Sequence, residues 1–326
     1  MSVANSDGIG LTKPRAIFFG TPEFAVPCLL ALNEIANILL VVCQPDRPAG
    51  RGMKLTPPPV KVAAQELSLA VEQPTKLRPP AFAEHLRALN ADVAVVVAYG
   101  RILPNAVLSA PRLGCVNVHA SLLPKYRGAA PIVWAIVRGE RETGVSLMHM
   151  DEGMDTGPEL ARLSVPIDPN ETAGALSERL SELGATLLRE ALPRFLNGQL
   201  QDTPQDHAGA TLAPILKKSD GAIDFAKPAR AVHDHIRGMS PWPGAYTELE
   251  GKRVKLLRSS VVEEGGTRGK PGQVLRADRH GLWVACGSGV LALEELQLEG
   301  RKRSTAEQFC AGQRLPTGAR FATRRS

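Results

Sequence analysis

Apolar and polar positions follow two different periods along the first 200 residues of the chain. Short apolar runs predict strands at 15–19, 37–43, 69–73, 91–100, 115–120 and 143–150. Apolar residues at three- and four-residue spacing predict helices from the turn at 20–24 to Asn33 and at 59–67, 80–89, 130–139 and 174–198. The alternation predicts an α/β fold, an open and mostly parallel sheet with helices on both faces.

The pattern changes near residue 200. Residues 199–216 lose their periodicity and are rich in Pro, Gly, Asp and Gln, which predicts a linker. After one helix at 228–239, short strands broken by Gly predict a small β-barrel of the oligonucleotide-binding (OB) type. We therefore expect one domain at 1–205, a linker at 206–216 and a smaller domain at 217–326.

Composition fits a globular protein with a substantial core, because 44% of the 326 residues are hydrophobic and 22% are charged. No apolar run approaches the roughly 18 residues that a membrane-spanning helix needs, and the N-terminus does not resemble a secretory or transit signal. We therefore expect a cytoplasmic protein without a membrane partner.

The cysteines and histidines do not form a recognisable metal-binding motif. The five cysteines are scattered without C-x-x-C spacing, which predicts reduced, packed thiols. His233 and His235 flank Asp234 without a third ligand motif, and we interpret them as surface polar residues on a helix. We predict no metal site.

Charge is distributed unevenly. Residues 1–216 contain 19 Lys and Arg against 21 Asp and Glu, whereas residues 217–326 contain 20 against 12, giving net charges of −2 and +8. A basic final third is typical of a module that meets a polyanion. A solvated basic surface without a partner explains the charge equally well.

Asn117 and His119 stand two residues apart in the apolar run "CVNVHA", so in a strand they share one face. They lie at the carboxyl end of that strand, where open α/β sheets bind ligands. The segment "MDEGMDTGP" follows the next strand and places Asp155 in a tight, Gly-rich turn.

If Asp155 meets His119, the carboxylate favours the charged imidazole, and the imidazole and the Asn117 amide become two donors for a developing oxyanion. No Ser or Cys nucleophile is evident; Cys115 shares the face, but nothing nearby activates it. We therefore predict direct transfer, in which the substrate supplies the nucleophile. A purely structural Asp–His pair also fits the spacing.

The loop "QPDRPAGRGMKLTPPP" carries Arg47, Arg51 and Lys54 among Pro and Gly. Positive side chains on a backbone that Pro makes rigid are suited to contact with phosphates. Loops this long inside a domain are often functional. No phosphate-binding G-x-x-x-x-G-K or G-x-G-x-x-G motif is present, which argues against kinases, GTPases and dinucleotide oxidoreductases.

Seven segments together resemble the methionyl-tRNA formyltransferases: "FFGTPEFAVP", "QPDRPAGRG", "VVVAYGRILP", "NVHASLLPKYRGAAPI", "MDEGMDTG", "SDGAIDF" and "PWPGAY". The N-x-H-x-S-L-L-P core is shared by formyltransferases that use 10-formyltetrahydrofolate, so it indicates the reaction class. The R-P-A-G-R-G loop and the basic C-terminal region are more selective and indicate tRNA.

The resemblance implies a Rossmann-like formyltransferase domain and a C-terminal, OB-like tRNA-binding domain. We expect a monomer, although nothing in the sequence itself reveals the oligomeric state. The implied reaction moves a formyl group from 10-formyltetrahydrofolate to the α-amine of methionyl initiator tRNA, without a metal. Asn117, His119 and Asp155 match the family's catalytic positions. By resemblance, Ser121, Leu122, Leu123 and Pro124 match its folate-binding segment, and Arg47, Arg51 and Lys54 lie in its tRNA loop.

Three other functions fit part of the sequence. A formyltransferase for amino-sugar nucleotides also has an appended domain, but the R-P-A-G-R-G loop and the +8 charge argue against it. A glycinamide ribonucleotide formyltransferase would leave the last third of the chain unexplained. A folate- or RNA-binding module without turnover would not need an intact Asn-His-Asp set.

Overall fold

The computed structural model describes residues 13–49 and 52–323. Its strands are β1 Arg15–Gly20, β2 Asn37–Val42, β3 Arg47–Ala49, β4 Lys54–Thr56, β5 Val71–Glu72, β6 Val93–Val97, β7 Cys115–His119, β8 Arg127–Gly128, β9 Glu142–His149, β10 Glu159–Pro166, β11 Leu212–Ala213, β12 Ala245–Leu249, β13 Lys252–Glu263, β14 Val274–Asp278, β15 Gly281–Ala285, β16 Val290–Leu298 and β17 Ser304–Thr305.

The α-helices are α1 Val26–Ile35, α2 Pro59–Glu66, α3 Pro80–Ala88, α4 Asn105–Leu108, α5 Pro131–Val137, α6 Ala173–Leu196, α7 Ala229–Gly238 and α8 Ala306–Gln313. Helices α2, α3 and α5 each begin at a Pro, which suits the first turn because its N–H groups have no partner within the helix. Within the described ranges, no helix is both long and apolar enough to cross a bilayer.

The chain forms two compact units. The first contains the chain up to His119, together with Val145–Leu163 and Ser181–Gln205. The second contains Ala120–Gly144, Ser164–Leu180 and the chain from Asp206 onward. The units are therefore interleaved along the sequence.

A seven-stranded sheet forms the centre of the first unit, in the order β10-β9-β7-β6-β1-β2-β5. β1 is parallel to β2 and β6, β6 is parallel to β7, and β2 is parallel to β5. β9 is antiparallel to β7. The prediction of a mostly parallel sheet is confirmed.

Helices cover both faces of this sheet. On one face, Ile17 of β1 belongs to a core cluster that includes Leu86 of α3. On the other face, α6 lies close to α1 and β7, because a Cβ built on Gly184 would lie 3.0 Å from the Val118 side chain and 3.3 Å from the Cys28 sulfur. Because helices cover both faces of the sheet, a central strand such as β6 is buried along its whole length.

The second unit contains an antiparallel sheet in the order β12-β13-β16-β15-β14, with β17 paired to β16. Val254, Leu282 and Leu291 point into a core that α7 and α8 complete with Ile236 and Phe309. A C-terminal domain of antiparallel strands is thus confirmed, whereas closure into a barrel stays a prediction.

Part of the predicted linker pairs with another segment of the second unit. β11 is parallel to β8, with Leu212 beside Arg127 and Ala213 beside Gly128. The Trp134 indole N–H donates to the Pro214 carbonyl at 2.8 Å.

The interpretation of the α7 histidines as surface residues is wrong for His233, which is 2% exposed, and the neighbouring Asp234 is 4% exposed. His233 Nε2 donates to the Pro169 carbonyl and Nδ1 accepts from the Ser259 hydroxyl, both at 3.0 Å. Asp234 pairs with buried Arg237 at 2.7 Å. A short polar stretch gives no sign of burial in the sequence, because each of these polar groups has its hydrogen-bond partner inside the folded protein.

Candidate active site

Asn117 and His119 project from the same face of β7, as their spacing predicts. Cys115 shares this face and belongs to the core cluster next to α3 and α4. Asn117 is 8% exposed and His119 is 7% exposed. The strand thus places two polar side chains toward its carboxyl end, while Cys115 at its start packs in the apolar core.

Asp155 reaches both side chains from the loop after β9. Its carboxylate Oδ1 lies 3.5 Å from the Asn117 Nδ2 atom, and its Oδ2 lies 3.7 Å from His119 Nδ1. Asp155 has φ +54°, a left-handed conformation that Asp adopts more readily than most residues. The structure therefore brings the three predicted residues together.

Gln205 supports the backbone of the Asp155 turn. Its Nε2 donates to the carbonyl of Asp155 at 3.0 Å and to the carbonyl of Gly157 at 2.7 Å. No sequence pattern indicates Gln205, because it lies 50 residues from Asp155 and no local motif links them.

The other acidic residues of the segment point elsewhere. The exposed Asp151 carboxylate accepts from the Gly153 N–H at 3.0 Å and from the Thr156 hydroxyl at 2.7 Å, so it stabilises the turn. Glu152 is also exposed. Asp155 is therefore the carboxylate that this loop contributes to the cluster.

Cys115 is not an activated nucleophile. Burial raises the pKa of its thiol to about 12, and its sulfur lies 3.6 Å from the Leu108 carbonyl. A thiol with this pKa is almost fully protonated at neutral pH.

The cluster combines an amide donor, an imidazole and a carboxylate. An Asn carboxamide has two N–H groups, so one can face Asp155 while the other donates to a ligand oxygen. Two donors aimed at one oxygen stabilise an oxyanion, and a nearby carboxylate can orient the imidazole and assist proton transfer. Among the described residues, no group of three or more His, Cys, Asp or Glu side chains could hold a metal ion.

The segment Ser121–Pro124 directly follows β7 along the chain and belongs to the second unit. Ser121 and Leu123 are buried, whereas Leu122 and Pro124 are partly exposed. The Ser121 hydroxyl donates to the Lys125 carbonyl at 2.6 Å, which closes a tight turn.

The basic loop forms a hairpin at its centre, because β3 and β4 pair antiparallel with Arg47 beside Thr56. Arg47 and Lys54 are exposed, and Arg47 Nη2 donates to Gln44 Oε1 at 2.5 Å. At the base of the hairpin, Lys61 Nζ lies 2.8 Å from the Asp46 carboxylate. Arg51 lies outside the described residues.

A cavity of about 320 Å³ in the first unit has a different lining. Its walls are residues 75–78 together with Arg101, Ile102 and Pro104, and they include none of the predicted site residues. The Arg101 guanidinium donates to the carbonyls of Pro74 and Thr75 at 2.9 Å. The convergence of side chains, and not this cavity, identifies the candidate site.

Two family models match the chain. The model described as "Formyl transferase" matches residues 15–192, and the model described as "Formyl transferase, C-terminal domain" matches residues 215–314.

Curated relatives are similar over nearly their full length. The chain is 55% identical to a methionyl-tRNA formyltransferase of Sorangium cellulosum, over 93% of this chain and 98% of that protein. It is 51% identical to a methionyl-tRNA formyltransferase of Myxococcus xanthus, over 95% of this chain and 98% of that protein.

Solved structures share the fold at low identity. The N-formyltransferase from Helicobacter canadensis, solved with folinic acid and dTDP-3-aminofucose, is 18% identical, with a TM-score of 0.64 over 86% of this chain and 99% of that chain. HypX from Aquifex aeolicus, solved with tetrahydrofolic acid, is 18% identical, with a TM-score of 0.59 over 95% of this chain and 51% of that chain.

Proposed function

The chain belongs to the formyl transferase family and within it to the methionyl-tRNA formyltransferases, and from this membership we propose its reaction. The protein transfers the formyl group of 10-formyltetrahydrofolate to the α-amine of methionine on initiator tRNA. The product is the formylated aminoacyl-tRNA that begins translation.

The observation that carries this proposal is the approach of Asp155 to within 3.5 Å of the Asn117 amide and 3.7 Å of the His119 imidazole. Formyl transfer between two nitrogens needs oxyanion donors and a route for one proton. This cluster offers both, and the buried Cys115 thiol is poorly suited to a covalent route.

In the proposed mechanism, the neutral α-amine attacks the formyl carbon, and the carbonyl oxygen becomes negatively charged. Asn117 and protonated His119 donate hydrogen bonds to that oxygen. Asp155 keeps His119 oriented and helps to move the proton from the attacking amine, through water, to N10 of the folate. The bond between the formyl carbon and N10 then breaks, and tetrahydrofolate leaves.

We assign Ser121, Leu122, Leu123 and Pro124 to folate binding, because they match the family segment and directly follow β7. We assign Arg47, Arg51 and Lys54 to contacts with the acceptor end of the tRNA. The exposure of Arg47 and Lys54 on the hairpin supports this role, since phosphate contacts need accessible cations.

The organisation that we propose has a catalytic domain at 1–205, a linker at 206–216 and a tRNA-binding domain at 217–326. The net charge of +8 over residues 217–326 supports the last assignment. We further propose that the protein is a monomer and acts in the cytoplasm, where charged tRNA is used.

The test is an assay with purified protein, methionyl initiator tRNA and 10-formyltetrahydrofolate. The expected product is N-formylmethionine, released from the tRNA by mild base and identified by mass spectrometry. Parallel reactions with methionyl elongator tRNA and with dTDP-3-aminofucose measure selectivity. Formylation of the amino sugar without formylation of the tRNA would refute the proposal.

A further inference from the structure

Ser146 lies in β9 directly across from His119, in the antiparallel pair that β9 forms with β7. Side chains of directly opposed residues point to the same face of the sheet, with Cβ atoms about 4.5–5.5 Å apart. Ser146 is fully buried, at 0% exposure. A hydroxyl group therefore lies beside the His119 side chain within the sheet.

The Ser146 hydroxyl is held by a buried carboxylate. It donates to Glu159 Oε1 at 3.0 Å, and Glu159 lies in the neighbouring strand β10 with 6% exposure. An ionised carboxylate only accepts hydrogen bonds, so the Ser146 proton points to Glu159 and the lone pairs of the hydroxyl oxygen point elsewhere.

Glu159 is fixed at both its backbone and its side chain. Its N–H donates to the Thr203 carbonyl at 2.8 Å, and its own carbonyl accepts from the Thr203 N–H at 2.9 Å. Carboxylate Oε2 lies 2.8 Å from Arg162 Nη2. The backbone bonds and the ion pair hold the carboxylate next to Ser146.

By itself, the burial of the Glu159 carboxylate lowers the stability of the folded protein. Desolvation raises the pKa of Glu159, although the nearby Arg162 charge and the Ser146 hydroxyl oppose this shift. Replacing a buried polar pair by apolar groups of the same shape is often neutral for folding. A buried ionisable side chain beside a cluster of polar groups is therefore a candidate for a functional role.

We propose that Ser146 and Glu159 are positioning residues for His119. Ser146 fixes the orientation of the imidazole from across the strand pair, and Glu159 fixes Ser146 by accepting a hydrogen bond from its hydroxyl. This inference rests on the proposed formyl transfer, in which protonated His119 holds the developing oxyanion.

Charged groups on two other segments lie near His119 or act on it through Ser146. Asp155 approaches His119 Nδ1 from the loop after β9, at 3.7 Å. Glu159 acts through Ser146 from β10, and Arg162 pairs with Glu159.

The decisive variants are Ser146→Ala and Glu159→Gln. Each should lower kcat by about tenfold, the usual effect of one hydrogen bond that supports a charged group, with the KM values for tRNA and folate almost unchanged. Because Glu159 acts through Ser146, the double variant should be no slower than the slower single variant. Ser146→Thr keeps the hydroxyl and should restore kcat.

Ser181→Ala is the matched control. Ser181 is also buried in the first unit, but its hydroxyl donates to the Phe24 carbonyl at 2.8 Å, on a different segment. It should keep the wild-type kcat. If Glu159→Gln does not fold, the comparison of Ser146→Ala with Ser146→Thr still decides the role of the hydroxyl.

Three results would overturn the inference: wild-type kcat in Ser146→Ala, equal loss in Ser146→Thr and Ser146→Ala, or multiplying losses in the double variant. If the wild-type protein forms N-formylmethionine and one of these results is found, the positioning role fails while the proposed function stands. If the wild-type protein forms no N-formylmethionine, the proposed function itself fails.

Discussion

At Asn117, one amide hydrogen faces the Asp155 carboxylate at a donor–acceptor distance of 3.5 Å, and the carboxamide has a second N–H, which we propose donates to the formyl oxygen. Asn117→Ala removes both donors without changing the strand backbone. We predict a loss in kcat on the order of 10²–10³, typical of one oxyanion donor. Steady-state kinetics with charged initiator tRNA measure the loss.

The control is Asn197→Ala, which removes an exposed amide just after α6 and should keep wild-type turnover. Near-normal kcat in Asn117→Ala would show that the oxyanion donors are assigned to the wrong residues. A loss confined to KM would instead indicate a role in ground-state binding.

The sequence reveals the pairing of Asn117 with His119 but not the route by which Asp155 reaches them. Two-residue spacing in an apolar run is sufficient to place both side chains on one face. β9, however, is antiparallel to β7, and its last residue, His149, lies beside Val116. The loop must therefore return toward His119, and the support that it receives from Gln205 depends on tertiary contact.

The loop between β9 and β10 depends on close backbone packing at Gly157. A Cβ at this position would lie 2.0 Å from the His149 carbonyl oxygen, a backbone atom that cannot rotate away. We predict that Gly157→Ala destabilises the protein by about 1–3 kcal/mol or more and displaces Asp155, two residues away. Urea unfolding and kcat measure the two effects.

Gly312→Ala is the matched control, because a Cβ on Gly312 in α8 would meet no atom within 4 Å. Ala is a better helix former than Gly, so this variant should gain roughly 0.5–1 kcal/mol and keep wild-type turnover. Equal stability of the two variants would contradict the packing argument.

Strong elements are predictable from sequence and weak ones are not. β6 is apolar throughout, β7 is apolar except for Asn117 and His119, and both strands are buried, so hydrophobicity locates them. The sequence pattern does not predict β10, because polar residues interrupt its apolar positions. The β3–β4 hairpin lies in a Pro- and Gly-rich loop, where pairing depends on backbone geometry more than on side-chain pattern.

Helix α7 contains a pH-dependent element in His233. Burial lowers the pKa of its imidazole, whose two nitrogens contact Pro169 and Ser259. The unfolded chain therefore binds the proton more tightly, so the stability from His233 is complete above the unfolded pKa near 6.5 and is lost as the pH falls below it.

We predict that His233→Gln flattens the decrease in unfolding free energy between pH 7.5 and pH 5. Ser259→Ala removes the hydroxyl partner but keeps the imidazole, so it should retain the wild-type pH dependence at a lower overall stability. Urea titrations at the two pH values test both variants. The same pH dependence in His233→Gln as in the wild type would exclude this histidine as the cause.

At the scale of the whole molecule, contacts join segments that are distant in sequence. Leu212 of β11 pairs with Arg127 of β8. The second unit combines residues 120–144 and 164–180 with the C-terminal part of the chain. Composition and charge vary along the chain and cannot reveal such pairings. They do reveal that net positive charge is concentrated in residues 217–326.

That concentration predicts strongly salt-dependent tRNA binding. Each phosphate that a Lys or Arg neutralises releases counterions, and 6–10 contacts would weaken binding by about 10³–10⁵ between 50 and 200 mM salt. Lys255 is a candidate for one of these phosphate contacts, because its side chain is exposed in β13. Its partners in the neighbouring strands, Tyr246 and Gln297, are uncharged and do not neutralise it. Fluorescence titrations of labelled initiator tRNA measure the dependence.

Lys255→Gln should reduce the slope of log Kd against log salt by about one, as expected for the loss of a single phosphate contact. The control Lys13→Gln removes an exposed charge from the first unit and should leave the slope unchanged. Because a small sugar nucleotide engages few phosphates, a nearly flat salt response of the wild-type protein would favour that substrate over tRNA. An equal change of slope in both variants would show that binding follows net charge and not a defined basic surface.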